Sequence, residues 1–335
     1  MRKLYILGMI LGMYATFSAC NDEWKDELYT QMLSFKAPLG DNGLSEIYVR
    51  YQPDGTGIYQ LPVIVSGSKS NSRNIDAKIA VDEDTLRILN QEKFPVGRQD
   101  LWYVPLAEQH YSFESNICHI PAGENIQLYP IHFNFNGLEL DEKYVLPLTI
   151  EEDPSYVQNK YKGRYKALLG VNLFNDYSGT YNTTLMNIYI EGTTTDPAKV
   201  DTRLARVVDE NTIFFYGSTW VEDENRSRYK VFVEFEEGTE DEEGTIKGKL
   251  RLYGDEGEPG INIRPLGECK YEKRIIQHET IKYMERHLTT LELSYKYTDV
   301  TSNPDYPITY EVKGSMTMER QINPLIPDED QAIEW

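Results

Sequence analysis

Residues 214–226 combine aromatic rings with amide, carboxylate and guanidinium groups within one short segment. Sugar binding uses a flat aromatic face for the C–H side of the ring, and planar polar groups for the hydroxyls, in a mostly preformed site. Trp220 and Tyr216 are candidates for the aromatic face. The alternative is that Trp220 closes one end of a barrel and its polar neighbours only solvate a hairpin. The candidate ligand residues are Tyr216, Trp220, Asp223, Asn225, Arg226 and, in a similar loop, Tyr253.

Motifs for other chemistries are incomplete or missing in the sequence. His278-Glu279 begins like the zinc motif H-E-x-x-H, but Lys282 occupies the position of the second histidine. The sequence contains no G-x-S-x-G elbow, Walker loop or dinucleotide fingerprint. We therefore expect no catalytic residue, metal or cofactor. Glycoside hydrolysis stays open as a less favoured alternative, because it needs only two carboxylates and the chain has 54 acidic residues.

The N-terminus predicts an exported protein. A basic start and an apolar run to Phe17 indicate a signal peptide over residues 1–19. The run is too short for a spanning helix, which needs about 20 residues. Cys20 at the cleavage point resembles the lipobox of bacterial lipoproteins, although Phe17 departs from the usual aliphatic residue. The resemblance implies that Cys20 is lipidated and begins an acidic tether, residues 20–32; the alternative is a secreted protein with an incidental cysteine.

Charge restricts the partners of this protein. The net charge is -20, which repels nucleic acid and anionic membrane surfaces and leaves the lipid as the only membrane contact. The acidic residues after Cys20 have two interpretations. They are a solvated tether, or they are an export signal, because they resemble the acidic export signal of Bacteroidetes lipoproteins. We expect an outer-membrane location, with the protein facing the cell exterior.

Apolar and polar residues alternate with period two in almost every ordered-looking segment. Residues 308–319 and 291–297 are clear examples, and each has one buried and one solvated face, as antiparallel sheets require. Only residues 82–91 have helical spacing. The sequence therefore predicts an all-β protein with one short helix.

The first predicted domain covers residues 33–170. Short strands separated by turn signals, such as Pro53-Asp54-Gly55 and Asn136-Gly137, favour an immunoglobulin-like β-sandwich. Several segments resemble an N-terminal domain of Bacteroidetes surface lipoproteins, many of which are encoded with starch-utilisation-like glycan uptake systems. These segments are Ile47–Tyr51, Leu61–Ser68, Ala80–Leu86, Ile120–Glu124 and Lys143–Ile150. The resemblance implies outer-membrane glycan uptake components as partners.

The second predicted domain covers residues 176–335, after a boundary near 172–178. About eight strands with short, polar connections favour an antiparallel up-and-down β-barrel, with a second sandwich as the alternative. Residues 178–181 faintly resemble the opening of lipocalin-like barrels. The domain also looks like the one that accompanies the first domain in this lipoprotein family.

These observations favour non-catalytic glycan binding at the cell surface, as an accessory to an outer-membrane polysaccharide uptake system. A structural or adhesive protein of fimbrial type is the alternative. Such a subunit should have a donor strand or a processing site before its first domain, and residues 21–31 show neither clearly.

Overall fold

A computed structural model describes residues 29–139, 141–219, 223–255, 261–300, 305–328 and 330–334, without the side chains of residues 223–225. Within these ranges the protein is all-β with one α-helix. This helix is not long and apolar enough to cross a membrane. Cys20 and Trp220 lie outside the described residues.

Ten strands form two sheets in the N-terminal part of the chain. The first sheet has the order β1-β3-β8-β6, and the second has the order β2-β10-β9-β4-β7 with β5 beside β9. The strands are Met32–Phe35 (β1), Ser45–Arg50 (β2), Thr56–Ser66 (β3), Ile75–Val81 (β4), Val104–Pro105 (β5), Tyr111–Phe113 (β6), Ile117–Ile120 (β7), Ile126–Asn134 (β8), Tyr144–Ile150 (β9) and Lys166–Phe174 (β10).

The two N-terminal sheets pack their inner faces against one core. Val63 and Ile131 contribute from the first sheet, and Ile47 and Leu148 from the second. The pairing of β10 with β2 is parallel, whereas β10 with β9 and β9 with β4 are antiparallel. The immunoglobulin-like topology stays a prediction, as do the domain bounds 33–170 and 176–335.

Helix α1, Glu83–Lys93, confirms the helical spacing around residues 82–91. Asp82 caps it, because its carboxylate accepts a hydrogen bond from the Thr85 backbone N–H at 3.2 Å. Leu86 is buried beneath the helix with Tyr103 and Val145. The helix therefore covers part of the outer face of the second sheet.

The C-terminal strands close into an eight-stranded barrel, which confirms the predicted barrel over the second sandwich. The closed order is β11-β13-β14-β15-β17-β19-β20-β21, all antiparallel, and β21 returns to β11. The strands are Gly179–Asn182 (β11), Asn187–Ile190 (β12), Thr202–Val207 (β13), Thr212–Tyr216 (β14), Lys230–Phe235 (β15), Thr239–Glu240 (β16), Ile246–Tyr253 (β17), Arg264–Pro265 (β18), Cys269–Gln277 (β19), Glu285–Asp299 (β20), Ile308–Ile322 (β21) and Ile333–Glu334 (β22).

Large side chains fill the barrel interior. Tyr181, Phe215, Tyr295 and Tyr297 are each at most 1% exposed and share one core with Met316. Burial of each such side chain contributes about 1.5–3 kcal/mol. The interior of this barrel is therefore a packed core among the residues that the structure describes.

Candidate functional site

A groove with a volume of about 510 Å³ lies between the N-terminal domain and the barrel. We call it the interdomain groove. Its volume falls in the range of ligand sites, which often lie at domain interfaces. The side chains that line it come from β2, from the end of α1 and the segment after it, from the segment before β9, and from β10 and β13. Its main polar and aromatic residues are Asn42, Glu46, Tyr48, Lys93, Phe94, Tyr103, Glu139, Glu142, Lys143, Tyr144, Asn172 and Arg206.

The alternation of β2 places a carboxylate and an aromatic ring in the groove. Ile47 and Val49 face the core of the N-terminal domain, so Glu46 and Tyr48 face outward. The Tyr48 side chain is 39% exposed. Burial first, and then the charge of Glu46, raises the pKa of Tyr48 above its ordinary value.

Two amides and a glycine position the Glu46 carboxylate. The Asn172 side-chain amide donates to Glu46 Oε2 at 2.5 Å, and the Asn42 amide donates to Oε1. In the parallel register of β10 with β2, Gly170 is the partner of Glu46. A Cβ on Gly170 would lie 2.6 Å from Oε2, so the absence of a side chain there makes room for this carboxylate.

Helix α1 and the following segment form one wall of the groove. The rings of Phe94 and Tyr103 contact edge to face, with centroids 5.4 Å apart. Lys93 Nζ lies 5.6 Å from the Tyr103 ring centroid and donates to the Asn42 carbonyl at 2.7 Å. These contacts fix the wall before any ligand arrives.

The barrel supplies the opposite wall through the outward face of β13. Ala205 and Val207 are buried, so Leu204 and Arg206 face the groove. Leu204 is 50% exposed and gives this wall an apolar contact surface. Among the described residues, none forms an ion pair with Arg206.

The charges around the groove balance, although the whole chain carries a net charge of -20. The described lining residues include three carboxylates and three cations, which are Glu46, Glu139 and Glu142, and Lys93, Lys143 and Arg206. The groove thus offers hydrogen-bonding groups of both kinds and an aromatic ring, and the charges of its lining residues sum to zero. This arrangement suits a neutral polyhydroxy ligand.

Two groups of interdomain contacts hold the walls of the groove together. In the first, which we call the buried ion cluster, Lys230 Nζ lies 2.9 Å from Asp141 Oδ1, and Arg226 Nη2 lies 3.2 Å from Glu142 Oε1. In the second, the guanidinium groups of Arg50 and Arg320 lie 4.8 and 5.7 Å from the centroid of the Phe174 ring. Both groups adjoin the groove, because Glu142 and Phe174 also line it.

The C-terminal segment strengthens the second group. Arg50 Nε donates to Asp330 at 2.5 Å, and Arg50 Nη1 donates to Asp176 at 2.9 Å. Between the domains, Asn175 donates to the Asp209 carbonyl and accepts from the Ser178 N–H, at 2.8 Å each. The connection between the domains is therefore short and tightly hydrogen-bonded.

The structure shows where two of the candidate ligand residues that the sequence suggested, Tyr216 and Tyr253, lie on the barrel. Tyr216 and Tyr253 are both half-buried, at the two ends of an aromatic row on the outside of the barrel. Neighbouring ring centroids are 5.8, 5.9 and 5.2 Å apart in the order Tyr216, Phe214, Phe232, Tyr253. Tyr253 stacks on Phe232, and the Arg251 guanidinium lies 5.1 Å from its centroid, beside a hollow of about 430 Å³.

Three of the remaining candidates, Asp223, Asn225 and Arg226, belong to the 3-10 helix Asp223–Tyr229. Arg226 is buried and belongs to the buried ion cluster. A sugar-binding role for Trp220 stays a prediction.

Sequence patterns did not reveal Glu46, Tyr48 or Asn172 as groove residues. The alternation of β2 does predict that Glu46 and Tyr48 face away from the core. However, nothing local indicates that β2 pairs with β10, which follows it by more than a hundred residues. The groove depends on that pairing and on the barrel beside it.

Comparisons place this architecture among known proteins. A family model described as "Domain of unknown function (DUF4973)" matches residues 24–154, and one described as "-like, C-terminal" matches residues 155–317. No curated protein matches the chain. A solved multidomain protein including DUF1735 from Bacteroides ovatus is 40% identical over 91% of this chain and 100% of its own, with a TM-score of 0.78.

Two further solved structures are similar over nearly their whole length. A Bacteroides ovatus protein of unknown function is 41% identical over 91% of this chain and 100% of its own, with a TM-score of 0.79. An auxiliary nutrient binding protein from Bacteroides thetaiotaomicron VPI-5482 is 31% identical over 88% of this chain and 96% of its own, with a TM-score of 0.75. The chain therefore belongs to this family of two-domain Bacteroides proteins, with an N-terminal DUF4973 domain and a C-terminal barrel domain.

Proposed function

We propose that this protein is a non-catalytic glycan-binding lipoprotein that serves an outer-membrane polysaccharide uptake system. The observation that carries the proposal is the interdomain groove, where the exposed ring of Tyr48 lies two residues from the fixed carboxylate of Glu46. A sugar ring would stack its C–H face on Tyr48, while Glu46 and the amides accept and donate hydrogen bonds at its hydroxyls. The relative named as an auxiliary nutrient binding protein supports this role.

Replacing Tyr48 with alanine should weaken glycan binding about 30-fold, or about 2 kcal/mol, as expected for an aromatic residue central to a site. The best ligand from a neutral glycan array would be titrated calorimetrically against the protein lacking residues 1–20. Tyr283→Ala is the matched control, since Tyr283 is 50% exposed and lies outside the groove. Equal affinities of Tyr48→Ala and the parent protein would exclude the groove as the site.

The same titration separates the function classes. Affinity for an uncharged glycan should depend weakly on salt, because no ion pair with the ligand is screened. The glycan should also be recovered intact after prolonged incubation. Release of shorter products would instead support a glycoside hydrolase, and binding to no glycan would favour a structural surface protein.

Localisation depends on Cys20. We expect a mild wash to release the Cys20→Ser variant from membranes. Without the lipid, a protein with a net charge of -20 is repelled by an anionic membrane surface. Cell fractionation and surface protease accessibility would be measured for both forms, with Cys118→Ser as the control for a buried cysteine. Retention of Cys20→Ser in the membrane fraction would contradict the lipid anchor.

A further inference from the structure

We propose that the interdomain groove continues across β13 into a second cavity, and that the two together bind an oligosaccharide chain rather than a single sugar. This inference rests on the proposed glycan-binding function. The second cavity has a volume of about 180 Å³ and lies on the outside of the barrel. It is lined by Thr202, Arg203, Leu204, Arg206, Tyr216, Ser218 and Thr219.

Leu204 and Arg206 line both cavities, which makes the two hollows neighbours on one surface. Thr202, Leu204 and Arg206 alternate along β13 and all face outward from the barrel. Successive outward residues of a strand stand about 7 Å apart, so the three residues span about 14 Å. That length exceeds one sugar ring and follows a single direction, as a linear chain requires.

The chemistry along this surface also suits a chain of neutral sugars. The exposed Leu204 offers an apolar contact for C–H groups at the point where the cavities meet. Beside it, the Arg206 guanidinium presents several N–H donors in one plane, a geometry that matches neighbouring hydroxyl oxygens. Tyr216, half-buried at the far side, adds a second aromatic ring.

An interior arginine holds the far wall of the second cavity in place. Arg203 is 8% exposed. Its guanidinium group lies over the Phe215 ring, 5.6 Å from the ring centroid. It donates to the carbonyls of Ser218 at 3.1 Å and Gly217 at 3.2 Å, and also to that of Tyr216. The wall is thus anchored to the barrel core, so ligand binding costs little conformational entropy for ordering this wall.

A chain-length series tests this inference. Malto-, cello-, xylo- and manno-oligosaccharides, each from the monosaccharide to the hexasaccharide, would be titrated against the protein lacking residues 1–20. In the series that binds, affinity should rise about tenfold or more beyond the disaccharide and then level off once both cavities are filled. Affinity that is independent of length would overturn the continuous surface while leaving the groove as a site. If no series binds, both the continuous surface and the proposed glycan-binding function are overturned.

A variant that fills only the second cavity makes the test specific. Thr202→Arg should lower the affinity for the longest ligand to that of the disaccharide and leave disaccharide binding within about twofold of the parent, because Thr202 does not line the groove. Thr194→Arg is the matched control, since Thr194 is exposed and lines neither cavity. Unchanged melting temperatures would show that both variants fold. Full hexasaccharide affinity in a folded Thr202→Arg would contradict the inference.

Discussion

Removing the Asp141 carboxylate is expected to destabilise the protein by about 3–5 kcal/mol, the cost of leaving a buried charge without its partner. The Asp141 and Lys230 side chains are only 9% and 10% exposed, and their charged atoms lie 2.9 Å apart. In Asp141→Ala, the Lys230 ammonium would remain in this buried position, 5.3 Å from the Phe214 ring centroid. Arg226, whose Nε lies 3.9 Å from Asp141, would lose part of its compensation as well.

Calorimetric and chemical unfolding would measure this effect. Because Asp141 belongs to the N-terminal domain and Lys230 to the barrel, we also expect the two domains to unfold less cooperatively in the variant. Glu268→Ala is the control: Glu268 pairs with Lys249 at 2.7 Å on the surface, and its loss should leave the free energy of unfolding almost unchanged. The double variant Asp141→Leu/Lys230→Met should regain much of the lost stability. A fully stable Asp141→Ala would show that water solvates this cluster.

Replacing Gly314 with alanine is expected to cost about 3 kcal/mol, since a positive φ and an overpacked Cβ each cost of order 1–3 kcal/mol. Gly314 has φ +138° in the middle of β21. An added Cβ would lie 2.1 Å from the Leu185 carbonyl oxygen and 2.9 Å from the Met186 Cα. The backbone before β12 therefore crosses β21 at a distance that only glycine permits.

The position of Gly314 in the barrel explains why this contact matters. It pairs with Leu293 within a ladder of fifteen residue pairs between β20 and β21, and β21 also pairs with β11 to close the barrel. The melting temperature of Gly314→Ala would be compared with that of Gly267→Ala, where an added Cβ meets nothing within 4 Å. Equal melting temperatures would mean that the segment around Leu185 shifts freely.

Much of the architecture was predictable because it depends on local patterns. The alternation of residues 291–297 and 308–319 indicated which side chains of β20 and β21 enter the core, and Tyr295, Tyr297, Met316 and Met318 are indeed buried. The helical spacing at residues 82–91 is confirmed by α1. Period-two and period-3.6 patterns are properties of neighbouring residues, so they can be read before the chain is folded.

The candidate site was less predictable because it depends on pairs of distant segments. The sequence drew attention to residues 214–226 for their composition. In the fold, Arg226 is turned toward Glu142 of the other domain, whereas Tyr216 lines the second cavity at the end of an aromatic row. Composition shows what a side chain can bind, whereas its neighbours determine whether it is available.

The sequence by itself determined the all-β class, the short helix and the inward and outward faces of the long strands, because alternation follows from strand geometry alone. Only the tertiary structure decided that β2 pairs with β10, that Glu46 lies against Gly170, and that the barrel encloses the groove from the other side. The physical reason is that strand pairing and domain contact depend on the packing of surfaces from segments far apart in the chain. No local period encodes which of these surfaces meet.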